Sequence, residues 1–164
     1  MERRLFWLLA ALLVVLLAAC GGQSQTDTAT GADGSAETRP VVTVFKSPSC
    51  GCCGAWINHM EANGFMVEAE NVADPVAVKQ ERSVPQELYS CHTAVVDGYT
   101  IEGHVPAAEI ERLLAERPDI AGLAVAGMPI GSPGMETEGV ANQPYDVIAF
   151  DEAGNMEVYA SYGP

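Results

Sequence analysis

The chain has 164 residues, with 22 acidic against 8 basic side chains and a formal net charge of −14. So acidic a chain lacks the Lys and Arg that neutralise phosphates, which argues against a nucleic-acid partner. The length fits one domain with appendages, and five cysteines in it make sulfur chemistry the main question.

Arg3 and Arg4 precede an almost unbroken apolar run, Leu5 to Ala19. A basic start and an apolar run too short for a comfortable membrane span predict a signal peptide over residues 1–19. The run ends in Leu17-Ala18-Ala19-Cys20, followed by Gly21, and resembles a bacterial lipobox. The resemblance implies cleavage before Cys20, lipidation of Cys20 and an extracytoplasmic lipoprotein. In a Gram-negative cell, Gly21 resembles an address to the periplasmic side of the outer membrane. Residues 20–40 are rich in Gly, Ser, Thr, Gln and Ala and read as a flexible tether. The folded domain is expected over residues 41–164. Disulfides persist outside the cytoplasm. With Cys20 given to lipid, Cys50, Cys52, Cys53 and Cys91 remain, enough for two bridges.

Within the domain, Val41 to Phe45 is β-branched and aromatic and predicts a central strand. The motif Cys50-Gly51-Cys52-Cys53 follows at once. Ala55 to Asn63 has helical spacing, with Trp56 and Met60 on one face, His59 at the surface, and Asn63-Gly64 as the stop. Phe65 to Glu70 predicts a second strand. Asp74-Pro75 opens a short helix that continues to Arg82. Thr93–Val96 and Tyr99–Glu102 flank Asp97-Gly98, a strong hairpin signal. Pro106 to Arg117 predicts a third helix, with Ile110, Leu113 and Leu114 inward. Beyond it lie a small apolar stretch, Ala121 to Ala126, and a Gly/Pro-punctuated loop, Gly127 to Met135. A hairpin over Tyr145–Phe150 and Met156–Tyr162 is expected to join the sheet edge.

The predicted order, β-α-β-α-β-β-α with a C-terminal loop and hairpin extension, is α/β and resembles the thioredoxin/glutaredoxin fold. Redoxins place a cis-proline just before the third strand, and here Cys91-His92-Thr93 fills that position. On that alignment Cys91 faces Cys50, Cys52 and Cys53 across one site. A helix N-terminus favours thiolate, the form that attacks disulfides and binds metals. Cys50 and Cys53 form a C-x-x-C pair, and Cys52 is surplus to a simple redox pair. Adjacent Cys52 and Cys53 do not readily serve one tetrahedral zinc ion. Thiolates bridging soft copper(I) suit the crowded spacing better. Met128 and Met135 sit in a loop, and thioethers also select copper(I). His92 is a candidate ligand or proton relay. His104 is a candidate ligand or a residue at the cap of the third helix.

These segments resemble the CopG-like proteins of bacterial copper-resistance systems, a family of predicted extracytoplasmic metal-binding proteins. The resemblance is carried by the stretches from Ser49 to Gly54 with Trp56, Cys91 to Thr93, Gly103 to Pro106, and Gly127 to Glu136. It implies a thioredoxin-like fold and copper held by Cys50, Cys52, Cys53 and Cys91, with redox cycling of copper in view. The resulting expectation is a lipid-tethered envelope protein that sequesters, transfers or redox-handles copper(I) in metal tolerance, with Met128, Met135, His92 and His104 at the rim. Its partners would be metal ions, the membrane through the lipid anchor alone, and envelope copper proteins. Two alternatives stay open. One is a thiol–disulfide oxidoreductase using Cys50 and Cys53; the other is a structural domain stapled by two disulfides.

Overall fold

The structure is a computed structural model that describes residues 39–163. The expected signal peptide over residues 1–19, Cys20 with its expected lipidation and nearly all of the expected tether lie outside the described residues. No helix among the described residues is long and apolar enough to cross a membrane.

Seven strands form one mixed sheet in the order β2-β1-β3-β4-β5-β6-β7. The strands are β1 (Val42–Lys46), β2 (Val67–Asn71), β3 (His92–Val96), β4 (Tyr99–Glu102), β5 (Gly122–Ala124), β6 (Tyr145–Phe150) and β7 (Met156–Tyr162). Three helices, α1 (Gly51–Ala62), α2 (Pro75–Glu81) and α3 (Ala107–Glu116), alternate with them, and a short 3-10 turn spans Gln86–Leu88. The expected β-α-β-α-β-β-α order is therefore present. As predicted, β1 is interior; it runs parallel to β2 and antiparallel to β3.

Alternation along the strands divides the sheet into two faces. Val42, Val44, Ala94, Val96 and Ile101 pack with Trp56 and Met60 of α1 and Ile110 and Leu113 of α3. Fully burying each Val, Ile, Leu or Met side chain of this group stabilises the fold by about 1.5–3 kcal/mol. A smaller cluster of Val84, Leu88, Ala124 and Phe150 gathers around the 3-10 turn. Asp97 (φ 49°) and Gly98 (φ 91°) both take positive φ, as the two-residue turn between β3 and β4 requires.

Beyond shifts of a residue or two at element ends, three features differ from the sequence reading. Helix α1 starts at Gly51, inside the cysteine motif, because the Cys50 side chain caps it by accepting from the Cys53 amide. β5 was expected only as a small apolar stretch. It is a strand because it fills the gap between β4, which it joins in parallel, and β6, which it joins antiparallel. The predicted C-terminal hairpin thus reaches the sheet through β5. It is tied to α3 by Tyr162 Oη donating to Glu109 (2.7 Å) and by Arg112 donating to the Tyr159 carbonyl (2.9 Å). Third, His59 is half-buried, not at the surface. Its Nε2 accepts from the Ala107 amide at 3.1 Å and so caps α3.

Burial lowers the pKa of His59, and Glu136 partly opposes the shift. The cap needs a neutral ring with a free Nε2 lone pair. A group whose folded pKa lies below its unfolded value of about 6.5 contributes stability that is present above that value and lost as pH falls through the window below it. Urea unfolding should therefore show declining stability below about pH 6.5, with a shallower decline in His59→Ala. Equal pH slopes in wild type and variant would contradict the cap.

The loop from Gly127 to Glu136 crosses the start of α1 at very short range. A Cβ on Gly134 (φ +81°) would lie 2.6 Å from the Trp56 amide nitrogen. Gly134→Ala should cost about 1–3 kcal/mol from the combined clash and strain. An unchanged urea midpoint would contradict that packing.

Candidate metal and thiol site

The site forms where the N-terminus of α1 meets the residue just before β3. Cys50 caps the helix, Cys52 and Cys53 occupy its first turn, and Cys91 approaches from the neighbouring strand. Cys91 Sγ lies 3.5 Å from Cys52 Sγ and 3.7 Å from Cys53 Sγ, and Cys52 Sγ lies 3.6 Å from Cys50 Sγ. All four sulfurs fall within 4.8 Å of one another. Cys50 and Cys53 are joined in a disulfide, while Cys52 and Cys91 are free thiols.

Two imidazoles converge on the same point. His104 Nδ1 lies 2.8 Å from the Pro133 carbonyl. A carbonyl only accepts, so Nδ1 carries the proton and Nε2 presents its lone pair to Cys91 Sγ, 3.0 Å away. His92 Nδ1 lies 3.2 Å from that sulfur, and its Nε2 is buried without a partner. Burial keeps both rings neutral: it lowers the pKa of His104 and pushes that of His92 well down, where His104 and Lys79 add to the effect. Trp56 packs on the His92 ring at a centroid distance of 4.5 Å and donates its indole N–H to the Val105 carbonyl at 2.9 Å. Burial and the Cys52 thiol push the Cys91 thiol up to about 12. Without a cation, Cys91 is therefore held as a neutral thiol among neutral imidazoles. A soft metal ion that displaces its proton would gain thiolate and imidazole donors already in place.

Residues 88–135, which contain Cys91, His92, His104 and both loop methionines, match a family described as "Protein of unknown function, DUF411". No curated protein matches. Two solved structures do. "Copper resistance protein copG- Form 1" is 47% identical, has a TM-score of 0.72, and is matched over 77% of this chain and 99% of its own. "Copper resistance protein copG- Form 2" is 48% identical, with the same TM-score, over 76% and 98%. The chain belongs to the CopG family.

In this CopG chain a buried polar network fixes the strand-side half of the site. Lys79 of α2 and Glu102 of β4 form an ion pair of 2.6 Å with almost no solvent exposure. Glu102 Oε1 also accepts from the Ser90 amide (2.6 Å), and Oε2 accepts from Thr93 Oγ1 (2.7 Å). Lys79 donates in turn to Thr93 Oγ1 (3.1 Å). The residues on either side of Cys91-His92 are thus both bonded to one carboxylate. Burial raises the pKa of Glu102, and Lys79, Thr93 and Ser90 all pull it back.

The sequence reading missed this network. In Tyr99-Thr100-Ile101-Glu102 the carboxylate takes an ordinary polar position of the alternation, so nothing local marks it as buried. Of the other predicted rim residues, Met128 is exposed and Met135 half-buried. The Gly127 amide donates to the Tyr89 carbonyl at 3.2 Å, which places the start of their loop beside the Cys91 segment.

Removing the carboxylate charge would strand a buried ammonium. Glu102→Gln should therefore destabilise the protein by about 3–5 kcal/mol, and the double change Lys79→Met, Glu102→Leu should recover much of that loss. Urea denaturation measures both, and a loss below about 1 kcal/mol for Glu102→Gln would show that the pair does not hold the site together.

Proposed function

We propose that the chain is an envelope copper-binding protein whose four cysteines form a thiolate site for copper(I), serving sequestration, transfer or redox handling in metal tolerance. One observation carries this reading: four sulfurs from two separate elements lie within 4.8 Å of one another. Cys50, Cys52, Cys53 and Cys91 are the proposed thiolate ligands once the disulfide is reduced. His92 and His104 supply neutral nitrogen donors beside Cys91. Met128 and Met135 are proposed as outer thioether ligands that meet copper at the rim. The copper-resistance names of the two solved relatives support the choice of metal, and softness favours copper(I) over zinc. The domain from residue 41 would stand off the membrane on the 20–40 tether, anchored through lipid on Cys20, in the extracytoplasmic space.

The test is copper(I) binding by the phosphine-reduced, anaerobic chain, carrying Cys20→Ser, in competition with a chelator. More than one copper(I) per chain is expected, with a clear drop in stoichiometry for Cys52→Ser. Free thiols with no bound copper would overturn the reading.

The Cys50–Cys53 disulfide favours a second reading, a thiol–disulfide oxidoreductase. A thiolate of a dithiol substrate would open the bridge at Cys50, releasing the Cys53 thiol, and the substrate's second thiol would then displace Cys50, so that the substrate leaves as a disulfide and both cysteines are left as thiols. Turnover of a dithiol substrate that is lost in Cys50→Ser and unaffected by copper chelators would select it over the first.

A further inference from the structure

The sheet ends in two unpaired edges, β2 and β7, and they are finished differently. β2 has five residues and sets Glu68 and Glu70 on its exposed surface, a common guard of an edge strand. β7 has seven residues and carries one acidic side chain, Glu157, between Met156 and Val158. Among the described residues, no backbone group of β7 bonds to backbone outside its ladder with β6. Of the side chains, only Arg112 reaches one, the Tyr159 carbonyl at 2.9 Å. Val158 lies opposite Ile148 and Met156 opposite Phe150, so both stand on the sheet face where Val84 and Leu88 cover Ala124 and Phe150. That cover stops short of β7: Val158 is 58% and Met156 47% exposed. An apolar stripe therefore borders an open edge. The edge is also held in shape. Arg112 of α3 stacks on the Tyr159 ring at 3.8 Å, Tyr159 Oη donates to Glu116 (3.3 Å), and Tyr162 Oη donates to Glu109 (2.7 Å). A strand that is already ordered loses less freedom when a partner docks on it.

We propose that β7 is a docking edge for an extended segment of another protein that alternates apolar and basic residues and joins the sheet as a further strand. Main-chain hydrogen bonds would come from the open side of β7, and alternate side chains would meet its two faces. On one face the segment's apolar residues would cover Val158 and Met156. On the other its lysines or arginines would meet Glu157, which lies opposite the buried Ala149, and Glu116 of α3 beside Tyr159. Charge selects this occupant over two others. Residues 145–162 hold Asp146, Asp151, Glu152 and Glu157 and no Lys, Arg or His, so a second copy would set acidic side chains against acidic side chains. The register shift between Val147 and Ile148 also interrupts the flat ladder that such self-pairing needs. Residues 20–38 carry Asp27, Asp33 and Glu37, no basic side chain, and nothing apolar larger than Ala besides Cys20. That segment fits neither the charge nor the stripe. The proposal stands on the sheet alone and holds whether or not the cysteine site binds copper.

The full chain carrying Cys20→Ser is titrated into a fluorescently labelled peptide of alternating valine and lysine, as long as the seven residues of β7. Anisotropy gives the Kd. Binding is expected, and it should weaken as salt rises. A peptide of the same composition, with its valines and lysines in separate blocks, should bind about tenfold more weakly. Val158→Lys changes an exposed side chain and should weaken binding by about tenfold, by removing apolar cover and adding like charge. Glu157→Gln should weaken it by about two- to fivefold and flatten the salt dependence. Met66→Lys, an exposed position beside the other edge, should leave it unchanged. Amide hydrogen exchange should slow in Met156–Tyr162 when the peptide is bound. Circular dichroism checks each fold; should Val158→Lys unfold, Glu157→Gln and the exchange map decide. No binding at low salt overturns the proposal. Equal binding of the blocked peptide, or by folded Val158→Lys, shows charge attraction without strand addition and overturns it too. So does slowed exchange in β2 instead of β7. Self-association, or binding to phosphatidylcholine vesicles, that Val158→Lys abolishes assigns the edge to a second copy or to a membrane and equally overturns it.

Discussion

The carboxylate of Glu102 is the constraint on which the site depends. It lies at the end of β4 with no solvent contact, and three different elements donate to it: Lys79 from α2, Thr93 from β3, and the Ser90 amide just ahead of Cys91. Burying a charge pair costs several kcal/mol per ion before attraction and hydrogen bonds offset it, and an apolar replacement often matches it for stability. Stability alone therefore does not account for the pair. What an apolar residue would lack is a fixed acceptor for the Ser90 amide and the Thr93 hydroxyl. Those two bonds clamp the chain on either side of Cys91-His92 and set where the sulfur and the first imidazole sit.

The other half of the site is set by the helix. Cys50 caps α1 and Cys53 lies buried in its first turn, where the helix N-terminus favours negative charge. Cys91 experiences the opposite pressure: burial and Cys52 hold its proton on. One side of the sulfur cluster therefore favours anions and the other resists them. A disulfide relieves the crowding on the helix side by removing two thiols. A bound cation would relieve it on the strand side by stabilising the thiolate. The same few ångströms therefore suit both thiol exchange and metal binding.

Much of this was legible in the sequence. The order of elements, the hairpin at Asp97-Gly98 and the burial of Trp56 and Met60 followed from periodicity and turn chemistry. The approach of Cys91 to the helix cysteines was implied by the resemblance to redoxins, in which the position before the third strand faces them, although Cys91 lies 38 positions beyond Cys53. What sequence could not reveal was long-range and polar. Nothing local links Lys79 to Glu102, 23 residues apart. His59 lies outside the apolar stripe of its helix, so its contact with the start of α3 is invisible until α3 is docked. β5 has only three residues, Gly122, Leu123 and Ala124, and gains its strand character from its two neighbours.

The histidines show why a helix–strand junction reads less well than its cysteines. A crowded sulfur motif is informative by spacing alone, whereas a histidine acquires meaning from what its far nitrogen touches. His104 was as compatible with a helix cap as with a ligand. In the fold, His59 takes the cap, and Pro133, from a loop 29 residues on, fixes the His104 tautomer. That loop reaches the site because Gly134 lets it lie against the Trp56 backbone. The Gly/Pro-rich segment that looked like a carrier of methionine ligands thus has a second role: its proline carbonyl orients an imidazole toward Cys91. Cys91, common to the thiolate and imidazole sets, is where the chemistry of the whole site is joined.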